Sequence, residues 1–115
     1  MQVKQGKLNF TTMLDLPEGA PVLMGILSIR GYSVKVLFDF GATHSFINGN
    51  ILSKLGLSWC HTNRPYMIVT PGGKIASSKL ALRVPLEIGS KIFPTSLIIL
   101  SLDGIDVILG MNWMG

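Results

Sequence analysis

Short apolar, β-branched runs alternate with turn residues along most of the chain, at the period of strands rather than of helices. Val22–Ile29 and Tyr32–Asp39 flank Arg30-Gly31, which predicts two strands joined by a tight turn. Residues 66–70 and 75–84 flank Pro71-Gly72-Gly73-Lys74, a second hairpin signal in which glycine supplies the positive φ that a reversal needs. Residues 85–88 and 91–100 around Gly89-Ser90 predict a third pair, and 101–104 turn the chain into a last strand over 105–109. One segment departs from this rhythm. Ile51, Leu52 and Leu55 are spaced for one face of a helix, which Asn48 or Asn50 can cap and Gly56 can end. The pattern predicts a small all-β domain, a barrel or a sandwich, with one short helix. Residues 1–19 are expected to be an N-terminal extension able to add an edge strand, and 20–115 the domain itself.

Composition agrees with a single globular unit. Of 115 residues, 48% are hydrophobic and 14% charged, and a chain of this size buries about two-thirds of its unfolded surface. The formal charge of +4 is too small for disorder. The ten Lys and Arg residues stand singly from Lys4 to Lys91, as on a solvated surface, so direct nucleic-acid binding is not expected. Cys60 is alone and closes no intrachain disulfide, which favours a reducing, intracellular setting. No apolar run approaches the roughly 18 residues of a membrane helix, and residues 1–14 lack the apolar stretch of a signal peptide. Neither a membrane partner nor secretion is expected, and Asn9-Phe10-Thr11 is a glycosylation sequon by pattern only. His44, Cys60 and His61 have no recurring ligand spacing, so no metal or cofactor is expected.

Among six acidic residues, Asp39 is placed unlike the others. It ends the strand-like run of Val34 to Phe38 and precedes Gly41-Ala42, where the backbone can turn sharply. A carboxylate beside an apolar core is costly, and its proton affinity responds to burial, which makes it a candidate for acid/base chemistry. A plain turn residue bonded to its own backbone is the competing reading.

The surrounding string, Val36-Leu37-Phe38-Asp39-Phe40-Gly41-Ala42-Thr43-His44-Ser45-Phe46-Ile47, resembles the active-site segment of retropepsin-like aspartic proteases, particularly those of plant gypsy-class retrotransposons. Asp106-Val107-Ile108-Leu109-Gly110-Met111-Asn112-Trp113 resembles the family's apolar-apolar-Gly segment, and the hairpin 66–80 falls where the family has its flap. The matches run in order over roughly residues 20 to 115. The resemblance implies a closed, barrel-like fold forming half of a two-fold homodimer. It implies Asp39 as the catalytic residue in an active-site loop with Phe40, Gly41 and Ala42. It further implies Ile108, Leu109, Gly110 and Asn112 as supports of that loop, and Pro71, Gly72 and Gly73 as the flap tip. His44 is read as structural, and Asp106 as a strand-entry residue rather than a second catalytic carboxylate. The implied substrate is an extended peptide or polyprotein, with no cofactor, in the cytoplasm or a retroelement particle. Two carboxylates close together share one proton, because both cannot ionise cheaply; one activates water and the other protonates the scissile carbonyl. A chain with one such Asp needs a second copy to supply the other.

One position departs from the family pattern. Ser or Thr follows the catalytic Asp there and bonds across the dimer, whereas Phe40 has neither donor nor acceptor. Three readings stay open: an active endopeptidase, a catalytically inactive dimerisation or peptide-binding module, and a decayed retroelement remnant. The family also continues beyond the Asn112-Trp113 position, so the chain is expected to be truncated at its C-terminus. Asp39-Phe40-Gly41 spells the magnesium-binding triplet of protein kinases, yet none of that family's other motifs is present. Trp59, Trp113, Phe46 and Met111 are expected in the core, the default for large apolar side chains.

Overall fold

The computed structural model describes residues 22–70 and 73–114; the extension predicted over 1–19 lies outside them. In the described residues seven strands form one sheet: β1 (Val22–Ile29), β2 (Tyr32–Asp39), β3 (Phe46–Asn48), β4 (Trp59–Thr70), β5 (Gly73–Ile88), β6 (Lys91–Leu100) and β7 (Val107–Leu109). Their order is β1-β2-β7-β3-β6-β5-β4, and a further pairing of β1 with β5 at Ser28↔Glu87 and Ile29↔Leu86 closes the sheet on itself. The expected mainly β, closed barrel-like sheet is the fold observed.

The first hairpin is in register from Val22↔Asp39 to Ile29↔Tyr32. Its turn residues, Arg30 and Gly31, have φ of 51° and 83°, the doubly positive pair that lets a two-residue turn follow the strands' twist. Arg30 is not a residue that favours this conformation. Its guanidinium donates to the carbonyls of Gly56 at 2.7 Å and Leu55 at 3.2 Å, tying the hairpin to the far end of a helix.

That helix is shorter than the spacing predicted. Asn48 still belongs to β3, Gly49–Ile51 form a 3₁₀ turn, and only Leu52–Leu55 (α1) are α-helical before Gly56 ends it at φ 64°. Of the two candidate caps, Asn48 is the one used. Its Oδ1 accepts from the Asn50 N–H, while its Nδ2 donates to the carbonyls of Leu102 at 2.8 Å and Ile105 at 3.2 Å. Ile51, Leu52 and Leu55 are all buried, as the pattern required.

Strand β3 was hidden in the sequence because it is buried on both faces and only three residues long, so it shows no alternation. It pairs parallel with β6 and antiparallel with β7, while β7 pairs parallel with β2. The central strands deal their residues to two cores. Val36, Ile47, Leu97, Val107 and Leu109 enter the larger one, with the helix face and Leu86. Leu37, Phe46, Ile98, Leu100 and Ile108 enter the other, beneath Tyr66, Ile68 and Ile75 of the β4–β5 hairpin.

Three boundaries differ from expectation. Residues 75–84 and 85–88 are one 16-residue strand, because a bulge between Ala81 and Val84, with Arg83 at φ 50°, bends β5 without ending it. Strand β4 begins at Trp59 rather than at residue 66, its register shifting between His61 and Tyr66. The last strand is Val107–Leu109, shorter than 105–109; Asp106 instead accepts from the Lys35 N–H through Oδ2 at 2.8 Å. Core placement fails for Trp59 and Met111, which are exposed, and holds for Phe46; Trp113 is half-buried. Cys60 is exposed.

Candidate active site

Asp39 is the last residue of β2, and the strand carries it into the protein rather than out to solvent: 3% of its surface is accessible. The chain turns at once. The carboxylate Oδ1 accepts from the Gly41 N–H at 2.8 Å, and the Asp39 carbonyl accepts from the Ala42 N–H at 3.2 Å. Burial pushes the carboxyl above its ordinary value, and the backbone N–H groups of Gly41 and Ala42 pull against that shift without cancelling it. The turn-residue reading is therefore right about the local bond and incomplete about the site. An ordinary turn aspartate is solvated, and this one is not. Phe40, next to it, is 40% exposed.

The loop from 40 to 45 is braced by the chain's C-terminal part. Leu37↔Ile108 and Phe38↔Leu109 pair alongside Asp39. The Met111 N–H donates to the Ala42 carbonyl at 2.8 Å, opening α2 (Met111–Met114) against the loop. Ser45 Oγ accepts from the Gly110 N–H at 3.0 Å and donates to Asn112 Oδ1 at 2.8 Å. A Cβ on Gly110 would collide with the His44 carbonyl and stand 2.7 Å from the Ala42 carbonyl. Glycine is required there for closeness, not for conformation. Trp113 anchors the short helix by donating from Nε1 to Thr95 Oγ1 at 3.0 Å and meeting Phe93 edge to face.

The structure thus gathers Asp39, Phe40, Gly41, Ala42, Ile108, Leu109, Gly110 and Asn112 into one place. The hairpin predicted over 66–80 is present, in register from Tyr66↔Ser77 to Thr70↔Gly73. Pro71 and Gly72 lie outside the described residues, and Gly73 has φ 123°. The hairpin base reaches the loop through Tyr66, whose ring meets that of His44 edge to face at 5.7 Å. Ser45 and Thr95 were not singled out by sequence. A hydroxyl six residues after the aspartate has no local signature, because its partner is 65 residues away.

The chain matches the family model described as retroviral aspartyl protease over residues 2–115. It is 33% identical over 89 residues to DNA damage-inducible protein 1 of Yarrowia lipolytica, covering 75% of this chain and 22% of that protein. The chain thus spans about a fifth of that curated relative. Among solved structures, the retroviral protease-like domain of Ddi1 from Leishmania major superposes with a TM-score of 0.59 at 17% identity, covering 79% of this chain and 73% of that one. EIAV protease complexed with the inhibitor HBY-793 gives 0.55 at 22% identity, covering 83% and 85%. Both likenesses concern the fold. With a family match over almost its whole length, a closed sheet of the same architecture and a buried aspartate opening an Asp-x-Gly-Ala loop, the chain belongs to the retroviral aspartyl protease family.

Proposed function

We propose that the chain is one half of a homodimeric aspartic endopeptidase, in which Asp39 of each copy supplies one carboxylate of the catalytic pair. The observation that carries this reading is the buried Asp39, held by the Gly41 N–H and pushed toward its protonated form by burial. A pair sharing one proton needs one member that holds its proton more tightly than an ordinary carboxyl and one that ionises, and burial favours the first. The ionised member would take a proton from water as it attacks the scissile carbonyl, and the protonated member would donate to the carbonyl oxygen. Gly110 and Asn112 hold the loop in place through Ser45. The β4–β5 hairpin serves as the flap over an extended peptide, with Pro71, Gly72 and Gly73 at its tip. An origin in a plant gypsy-class polyprotein and an intracellular site of action complete the proposal.

A second reading is favoured by one observation. Phe40 stands exposed where the family pattern has a hydroxyl, so the chain could keep the fold and pair or bind peptide without cleaving. The two readings separate in one experiment. A mixed peptide library is incubated between about pH 4 and 6, the range in which a carboxylate pair shares a proton, with the chain as given, Asp39→Asn and Phe40→Ser, each checked for dimer mass. Cleavage by the given chain that Asp39→Asn abolishes supports the endopeptidase. Cleavage only by Phe40→Ser supports the inactive module, and cleavage that survives Asp39→Asn overturns both.

A further inference from the structure

Where β5 parts from β6, a groove of about 560 Å³ opens between the base of the β4–β5 hairpin and the chain around Ile99. The last β5–β6 pair before it is Leu80↔Ile98, and beyond that point one side chain spans the gap, Ser77 Oγ donating to the Ile99 carbonyl at 2.6 Å. None of the residues lining the groove belongs to the Asp39 loop. Its apolar lining is Ile75, Ala76, Ile99 and Leu100, its size lies within the range of small-ligand sites, and no acidic side chain lines it.

The one formally charged residue in its lining is Lys79, beside the imidazole of His61. Lys79 and His61 are cross-strand neighbours on β5 and β4. The Lys79 ammonium sits 5.2 Å from the centroid of the exposed Trp59 ring, and His61 meets the same ring edge to face at 5.1 Å. Among the described residues Lys79 has no carboxylate partner, so a cation is held in place by an aromatic face and is not neutralised. Ser78 and Ser101 also line the groove, and neither hydroxyl has a partner among the described residues.

We infer that this groove binds the free C-terminal carboxylate of a short apolar peptide. The carboxylate would pair with the Lys79 ammonium, a charge-assisted contact that neutral ends cannot make. The apolar side chains would cover Ile75, Ile99 and Leu100. The Ser78 and Ser101 hydroxyls offer partners to peptide amides, which an alkyl chain would leave unused, and this favours a peptide over a fatty acid.

The test uses the full chain and the probe acetyl-Val-Ile-Leu with a free carboxylate, followed by amide chemical shifts. Saturable shifts confined to 61, 75–79 and 99–101 are expected. Affinity should fall about tenfold for the C-terminally amidated probe and for Lys79→Gln, the loss of one charge-assisted contact, while Lys74→Gln leaves it unchanged. Equal binding of acid and amide overturns the inference, as does absence of saturation at millimolar probe. Shifts centred on residues 39–45 overturn it too, by placing the probe at the other site. Displacement by decanoate at lower concentration than the peptide would overturn the choice of a peptide.

Discussion

Asp39 is the residue at which two demands conflict. An ionised carboxylate wants solvent, and this one has 3% of its surface left to it. Because burial raises its proton affinity in the folded state, the fold is favoured more below the unfolded carboxyl's ordinary value than above the raised folded value. Stability contributed by Asp39 is therefore fully present in acid and is lost as pH rises through the folded value. Asp39→Asn removes the charge and keeps an oxygen for the Gly41 N–H. The variant is expected to melt at a higher temperature than the parent at pH 7, with the gap closing as pH falls below the ordinary carboxyl range, near about 4. Thermal melts across pH check this, and a gap that is constant or widens in acid would refute it. The Asp39 carboxylate would then be a group kept at a cost to folding, as expected of chemistry rather than of structure.

At the scale of elements, the loop after β2 is held from outside itself. Gly110, between β7 and α2, is where the C-terminal part of the chain passes against the carbonyls of Ala42 and His44. Those are backbone atoms and cannot rotate away, so Gly110→Ala forces β7 and the loop apart and disconnects Ser45 from its two partners. Such overpacking is expected to cost upwards of about 2 kcal/mol, read as a lower urea midpoint, with any peptide cleavage lost before global unfolding. Gly49→Ala is the milder control, because its nearest neighbour is the Ile99 methyl at 3.1 Å, a side-chain atom. The Asp39 segment was legible in the sequence as a strand meeting a glycine at a sharp turn, a local pattern, and the Gly110 segment through its resemblance to the family's apolar-apolar-Gly string. Strand β3 was not, since three residues buried on both faces carry no period, nor was Ser45, whose bonds are made only after β7 docks. The division of β5 at Pro85 misread a bulge as an end. The sequence signal was real, and Val84 does follow a residue in the left-handed region, but β6 continues to pair on both sides of it. Trp59 was misplaced because burial was inferred from size, whereas its ring lies over a lysine at the surface.

The whole molecule closes its sheet through β1 and β5 yet leaves two apolar residues exposed beside Asp39, Phe40 of its loop at 40% exposure and Met111 of α2 at 42%. Ligation of the loop to α2 fixes both residues near the aspartate, through the Met111 N–H and the Ala42 carbonyl. In a two-fold dimer built about Asp39, a residue beside the axis meets its own copy, so any charge placed there is doubled into a like-charge pair. A charge elsewhere on the surface stays single. Phe40→Asp is therefore expected to raise the dimer dissociation constant by at least about a hundredfold, the scale of like charges opposed in an interface. Ile92→Asp, at a position 57% exposed on β6, is expected to leave the constant unchanged. Both substitutions replace solvent-exposed side chains, so each monomer should keep its unfolding free energy, from urea titration, within about 0.5 kcal/mol of the parent. Sedimentation equilibrium over a concentration series gives the constants. If Phe40→Asp dimerises as the parent does, Phe40 is not at the axis, and the pairing of two Asp39 carboxylates would have to be abandoned along with it.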